Sequence, residues 1–365
     1  MRSTIGTVLG AAFAALLPLA ALPASQPPPR QAGLELLYRG QVSRPTEEGE
    51  PGPALKNFTL RYLFTRDDPD SGTELVYVLG EQGRGAWAWP ERFGAVTLDA
   101  QNKPAAPDAE AALLFEHDGQ RYVLPVDLPL FPEPGRLEPG ARWTSGRIHY
   151  RVLGREDRQG HDCWRVAESG PVGPRALLWV DAAGGLLVGL ERRVFVGQGE
   201  EHRLSMQLSR QQQHGAEELQ RRRGPLEELL ALKRRLGRPQ REQSEQLAAE
   251  QLALADEALP ALEQSTQGTE LAALVRDIRR DVERQQNRVT QIDALAGRVV
   301  GAPAAEFALR TLDGGRLSHD AVRGKVTVLH FWEYRGEPLE EPYGQVGYLD
   351  FLHARRRGGA VQVYG

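Results

Sequence analysis

The chain has 365 residues, of which 41% are hydrophobic, so it is long enough and apolar enough for about two or three domains with real cores. A formal net charge of −4 gives no global signal for nucleic acid or an anionic membrane surface. Cys163 is the one cysteine, which excludes an intramolecular disulfide.

Residues 1–24 read as a secretory signal peptide. Met1-Arg2 supplies the positive start, Ile5 to Leu22 the apolar run, and Ala24 before Ser25-Gln26 a cleavage site. No cysteine follows the run, so attachment of a lipid at that point is excluded. The expected location is the periplasm or cell envelope, without a later membrane-spanning segment. Residues 25–32 are a proline-rich linker.

From 33 to 210 the pattern is that of an antiparallel β domain. Short runs of aromatic and β-branched residues are expected as strands at Leu34 to Val42, Leu60 to Thr65, Leu75 to Leu79, Ala86 to Pro90 and Leu113 to Val123. A second series follows at Trp143 to Arg155, Asp162 to Glu168, Ala176 to Val180, Leu186 to Phe195 and His202 to Leu208. Asp118-Gly119, Arg158-Gln159-Gly160, Ala183-Gly184-Gly185 and Gly197-Gln198-Gly199 mark turns between them. The spacing predicts a meander and a curved sheet. Cys163-Trp164-Arg165-Val166, Leu178-Trp179-Val180-Asp181 and Glu191-Arg192-Arg193 together resemble the sheet of bacterial envelope lipoprotein-carrier-like proteins.

Residues 211–297 shift to Gln, Glu, Arg, Leu and Ala, and aromatics vanish. Pro225 is expected at the first position of a helix that ends at Gly237. A second helix is predicted over Glu242 to Leu262, and a third over Glu270 to Ala296. Leu271, Val275, Ile278, Val282, Gln285, Val289 and Ile292 alternate four and three apart along the third, a heptad seam with one polar member. This stretch reads as a helical hairpin or coiled-coil spacer, and helix 270–296 is a possible route to self-association.

Residues 298–365 carry Gly301-Ala302-Pro303, Phe307, a turn at Asp313-Gly314-Gly315, and Gly324-Lys325 leading into the apolar run Val326 to Trp332. A helix over Tyr343 to Arg357 and a strand over Ala360 to Tyr364 complete a predicted βαβ unit. This pattern resembles the redoxin branch of the thioredoxin superfamily, the alkyl-hydroperoxide-reductase and TlpA-like envelope proteins. The resemblance implies a thioredoxin-like fold and a Cys pair just after Phe331-Trp332. By position the pair falls on Gly336 and Leu339, with Glu337 and Pro338 between, so the thiolate that redox chemistry requires is missing. The family's later strands and its cis-proline are absent too. Glu333, Tyr334 and Arg335 sit in the same loop as a candidate docking surface.

Other candidates for chemistry are few. His161-Asp162-Cys163 places a thiol beside an imidazole and a carboxylate, but Cys163 reads as a small buried strand residue. The eight histidines show no paired ligand spacing, so no metal and no cofactor are expected. Trp87, Trp89, Trp143, Trp164 and Trp179 either fill a core or line an apolar groove.

The fold class expected is therefore α+β multidomain: an antiparallel β-rich N-terminal domain, a helical spacer, and a partial thioredoxin-like α/β unit. The function expected is that of an exported redoxin-family binding or scaffold protein with a degenerate active site and no catalytic residue. One alternative is a thiol-disulfide oxidoreductase or antioxidant protein whose redox centre lies outside this chain. Another is an envelope carrier of an apolar ligand through the β domain. Its partner is then an unknown protein or an apolar ligand, and no nucleic acid.

Overall fold

The computed structural model describes residues 31–46, 51–68, 72–106, 109–303, 305–310, 314–329 and 361–364. The chain divides into two compact units, Met1–Gln285 and Gln286–Gly365.

The first unit is built on a ten-stranded antiparallel sheet. Its strands are β1 (Leu34–Pro45), β2 (Pro51–Asp68), β3 (Gly72–Gly83), β4 (Phe93–Leu98), β7 (Arg142–Ser145), β8 (Ile148–Arg158), β9 (His161–Gly170), β10 (Gly173–Asp181), β11 (Leu187–Val196) and β12 (Glu200–Gln213). They lie in the order β4-β3-β2-β1-β12-β11-β10-β9-β8-β7. Two meanders are thus joined where β1 pairs with β12, Leu36 opposite Gln211 and Val42 opposite Leu204. The register shifts at Leu37/Tyr38, at Phe64/Arg66 and at Val152/Gly154. Such bulges bend a strand and increase its twist.

A separate hairpin, β5 (Ala112–His117) and β6 (Gln120–Pro125), turns at Asp118-Gly119. Both turn residues have positive φ, 49° and 71°. That is the two-residue turn whose twist matches an antiparallel pair, and Asp-Gly favours it. Leu113, Phe115 and Leu124 of the hairpin pack with Leu36, Tyr38, Leu60, Tyr62, Leu75 and Tyr77 of the sheet. Period-two alternation places these sheet residues on one face. Tyr38, Tyr62 and Tyr77 form an edge-to-face row across β1, β2 and β3, with ring centroids 6.1 and 6.3 Å apart.

The alternate residues Leu63, Val76 and Phe93 face the other way and are buried too. They are covered by three helices, α1 (Ala216–Leu236), α2 (Ala249–Ser265) and α3 (Leu271–Val299). Leu226, Leu229 and Leu232 of α1, Leu259 of α2, and Val275, Ile278 and Val282 of α3 share that core. Glu35 stitches the helices to the sheet. It is 2% exposed and meets Arg61 and Arg210 of the sheet, His214, and Arg222 of α1.

Several expectations are corrected here. The helices are not a spacer but a layer on the sheet, and the seam from Leu271 to Val282 is buried within this layer. At Gln285 the seam changes partner type, the side-chain oxygen accepting the Leu247 N–H at 2.8 Å. α1 starts at Ala216 rather than Pro225, and the proline sits inside the helix. Ala86 to Pro90 is not a strand: the Trp87 N–H is taken by the Glu81 carboxylate at 2.8 Å, and Trp89–Glu91 forms a 3-10 turn. Trp143 to Arg155 is two strands, since Gly146 turns the chain at φ 59°.

The second unit contains the C-terminal part of α3, the two-stranded pair β13 (Ala308–Arg310) and β14 (Arg316–Ser318), the short helix α4 (His319–Val322), and β15 (Val326–Leu329) paired in parallel with β16 (Val361–Tyr364). The expected helix over Tyr343 to Arg357 lies outside the described residues. The α+β multidomain class with a partial thioredoxin-like unit is overturned. The fold is dominated by one antiparallel sheet of ten strands with a hairpin on one face and helices on the other, and among the described residues β13–β14 and β15–β16 are two separate two-stranded sheets.

Candidate functional site

The hairpin face of the sheet holds a cavity of about 400 Å³, within the range of about 300–1,000 Å³ typical of small-molecule sites. It lies where β6 runs out into Val126-Asp127-Leu128-Pro129-Leu130-Phe131-Pro132. Two prolines remove donors from this segment and hold it extended. It is pinned to the start of β11 by two backbone hydrogen bonds, Phe131 N–H to Gly185 carbonyl and Leu187 N–H to Pro129 carbonyl, each 2.9 Å. Asn102, at φ 61°, adds a side-chain N–H to the Phe131 carbonyl at 2.9 Å.

Leu128, Leu130, Phe131, Ile148, Tyr150, Leu178 and Leu187 make the apolar walls. Phe131 stands edge-on to Tyr150, with centroids 5.9 Å apart, and Tyr150 stacks on Trp143 at 5.0 Å. Edge-to-face and offset contacts of this kind fix ring orientation.

The polar part of the lining is ionic. Arg192 is 8% exposed and donates from one terminal nitrogen to Asp127 at 2.6 Å and Glu168 at 3.4 Å. Burial, and then the Asp127 charge, push the Glu168 carboxyl above its ordinary range, and Arg192 offsets part of this. Burial, followed by the Glu168 charge, pushes the Tyr150 hydroxyl up to about 12. Arg192 Nε and Glu110 Oε2 are buried without a hydrogen-bond partner. The cavity thus offers apolar walls together with the ionic side chains Asp127, Glu168 and Arg192, suited to a molecule with an apolar body and one polar group.

The residues singled out by sequence fall elsewhere. Cys163 is fully buried, and burial followed by the Asp181 charge raises its thiol to about 12. A thiol so held is protonated at neutral pH and is no nucleophile. Asp162 points away to pair with Arg155 at 2.7 Å. The tryptophans do not share a groove. Trp87 donates to the Ala112 carbonyl inside the core, and Trp89 packs with the helices. Trp164 and Trp179 lie under Arg155 and Arg158, 4.4 and 3.7 Å from the ring centroids. Trp143 stands next to the cavity through Tyr150. Gly336, Glu337, Pro338 and Leu339, with Glu333, Tyr334 and Arg335, lie outside the described residues.

Asp127, Glu168 and Arg192 escaped the sequence reading. The signal was present for two of them. Glu168 continues the buried register of Trp164 and Val166 on β9, and Arg192 that of Val188 and Leu190 on β11. A charged residue in a buried register needs a partner or a task.

No family model matches the chain, and no curated protein matches it. Solved structures that align include a domain described as an outer membrane lipoprotein-sorting protein domain from Vibrio parahaemolyticus, at 8% identity and TM-score 0.20, covering 53% of this chain and 92% of that one. Another is a DUF1329 family protein from Desulfovibrio piger, at 9% identity and TM-score 0.18, covering 51% and 87%. Likeness at these scores carries no argument about activity. The redoxin resemblance is corrected: no redoxin model matches, and the chain's main mass is an antiparallel β fold. No helix among the described residues is long and apolar enough to cross a membrane.

Proposed function

We propose that this protein is an envelope carrier or binding protein for an apolar ligand, held in the cavity between the sheet and the Val126–Pro132 segment. The observation that carries the reading is the lining: apolar and aromatic walls meeting the buried Arg192 and Glu168 and the part-exposed Asp127 in a space of about 400 Å³. An apolar chain gains about 25 cal/mol for each Å² it removes from water. Its polar end would meet the Arg192–Asp127–Glu168 cluster in the lining. The signal-peptide pattern of residues 1–24 supports delivery to the envelope.

Titrating the full chain with a dansyl-labelled fatty acid tests this. Saturable quenching of tryptophan emission with a blue-shifted dansyl signal is the expected result, because Trp143 stacks on a wall residue. A spectrum that stays linear and unsaturated would reject the cavity as a ligand site.

A further inference from the structure

Away from the cavity, the tips of two hairpins meet. The β5–β6 turn carries His117 and Asp118. Glu200 opens β12 directly after the Gly197-Gln198-Gly199 turn. His117 is fully buried (side chain 0% exposed), and its Nε2 lies 3.0 Å from Asp118 Oδ2 and 3.1 Å from Glu200 Oε1. The three atoms all lie within 4.8 Å of one another.

Hydrogen bonding does not account well for this triangle. A neutral imidazole has one proton to offer at Nε2, and two carboxylates converge on it. Like charges so close repel unless a cation sits among them. His117 Nδ1 is buried with no hydrogen-bond partner, so the hydrogen bonding of the ring is confined to the cluster.

The surroundings suit a bound ion. Asp118 is fixed in the left-handed region by its turn, at φ 49°. Glu200 is oriented through its other oxygen, which accepts from Arg44 at 2.9 Å. That leaves Oε1 free to ligate, the arrangement by which outer partners aim metal ligands. Gly197 keeps the approach open: a Cβ there would lie 3.1 Å from His117 Cδ2 and 3.2 Å from Nε2. Both carboxylates are about half exposed, at 48% and 46%, which leaves room for water ligands.

We propose that His117, Asp118 and Glu200 form a site for a first-row divalent metal ion, with Zn²⁺ the best fit. Tetrahedral bonds of about 2.0–2.2 Å place neighbouring ligand atoms about 3.3–3.6 Å apart, so Nε2, at 3.0 and 3.1 Å from the two carboxylate oxygens, needs to move only a few tenths of an ångström to admit the ion. An imidazole nitrogen beside two carboxylate oxygens favours Zn²⁺ over Ca²⁺ and Mg²⁺, which prefer oxygen alone. The ion takes the Nε2 lone pair of the neutral ring, whose one proton then sits on Nδ1, and ties the β5–β6 tip to the β11–β12 turn. His117 and Glu200 lie 83 residues apart in sequence and the site has a single histidine, which is why histidine spacing gave no metal signal.

The test uses the untagged full chain, stripped with chelator. Zn²⁺ is titrated by calorimetry, and Co²⁺ by visible absorption. One equivalent is expected to bind and to raise the thermal midpoint, with Mg²⁺ and Ca²⁺ having no such effect. Asp118→Asn, which keeps a turn-compatible residue, and Glu200→Gln are each expected to weaken binding at least about tenfold with an unchanged circular dichroism spectrum. Absence of Zn²⁺ binding by the parent, or binding by both variants with the parent's affinity, would overturn the site.

Discussion

Lys56 Nζ lies 3.0 Å from Glu81 Oε1, and neither side chain is exposed. The pair sutures three parts of the chain. Lys56 also donates to the Gly85 carbonyl at 2.6 Å, and Glu81 accepts the Trp87 and Leu114 backbone N–H groups at 2.8 and 3.0 Å. It thereby fixes the β5–β6 hairpin, and so the start of the cavity segment, to β2 and β3. Lys56→Met leaves a buried carboxylate without its cation, and a loss of about 3–5 kcal/mol is expected in denaturant unfolding. Adding Glu81→Gln to that variant should recover part of the loss. A single variant as stable as the parent would show that the pair holds nothing.

Gly40 pairs opposite Phe58, whose ring lies over it. A Cβ on Gly40 would fall 2.2 Å from Phe58 Cζ and 2.5 Å from the Ser205 carbonyl oxygen. Gly40→Ala is expected to destabilise the fold by about 1–3 kcal/mol. Phe58→Leu in the same chain should be sub-additive, because it removes one of the two clashes. Additive losses would mean that the ring and the glycine are not coupled.

Cys163 is expected to be inert in the native protein, given its burial and a thiol raised to about 12. Labelling with a thiol reagent at pH 8 should be at least about a hundredfold slower than in denaturant. Labelling at the same rate in both states would contradict the placement of the thiol in the core.

Glu168 makes a pH prediction with a definite sign. Its carboxyl sits higher in the folded protein than in the unfolded chain. Its stabilising contribution is therefore present below the unfolded value, about 4.3, and is lost as pH rises through the folded value. Glu168→Gln should then melt above the parent at pH 7.5, with the difference shrinking toward pH 4. A variant less stable than the parent by the same amount at both pH values would contradict this.

Local chemistry was legible in the sequence, and distant pairing was not. Asp118-Gly119 announces its turn because Asp and Gly accept positive φ. The β1–β12 pairing, which joins the two meanders, has no local signal, since Leu37 and Ser209 are 172 residues apart. The helix layer was misread as a spacer because α3 carries a heptad seam that suits a coiled coil and a sheet equally well. Leu63, Val76 and Phe93 were the clue: apolar residues in the second register of strands whose first register is already buried. The cavity was missed because a charge in a buried register, Glu168 or Arg192, stands out only once the strands are in place. The redoxin reading rested on short motifs, and its decisive positions, Gly336 to Leu339, lie outside the described residues.

The central claim is that the cavity beside Arg192 holds an apolar ligand. The most direct test is photo-crosslinking of the full chain with a diazirine fatty acid, with adducts mapped by peptide mass spectrometry. Adducts within Pro125–Pro132 and Ser145–Tyr150, suppressed by unlabelled fatty acid and by Ile148→Glu, are the predicted result. Adducts confined to exposed apolar residues such as Val172 and Phe195, or labelling unaffected by Ile148→Glu, would contradict it.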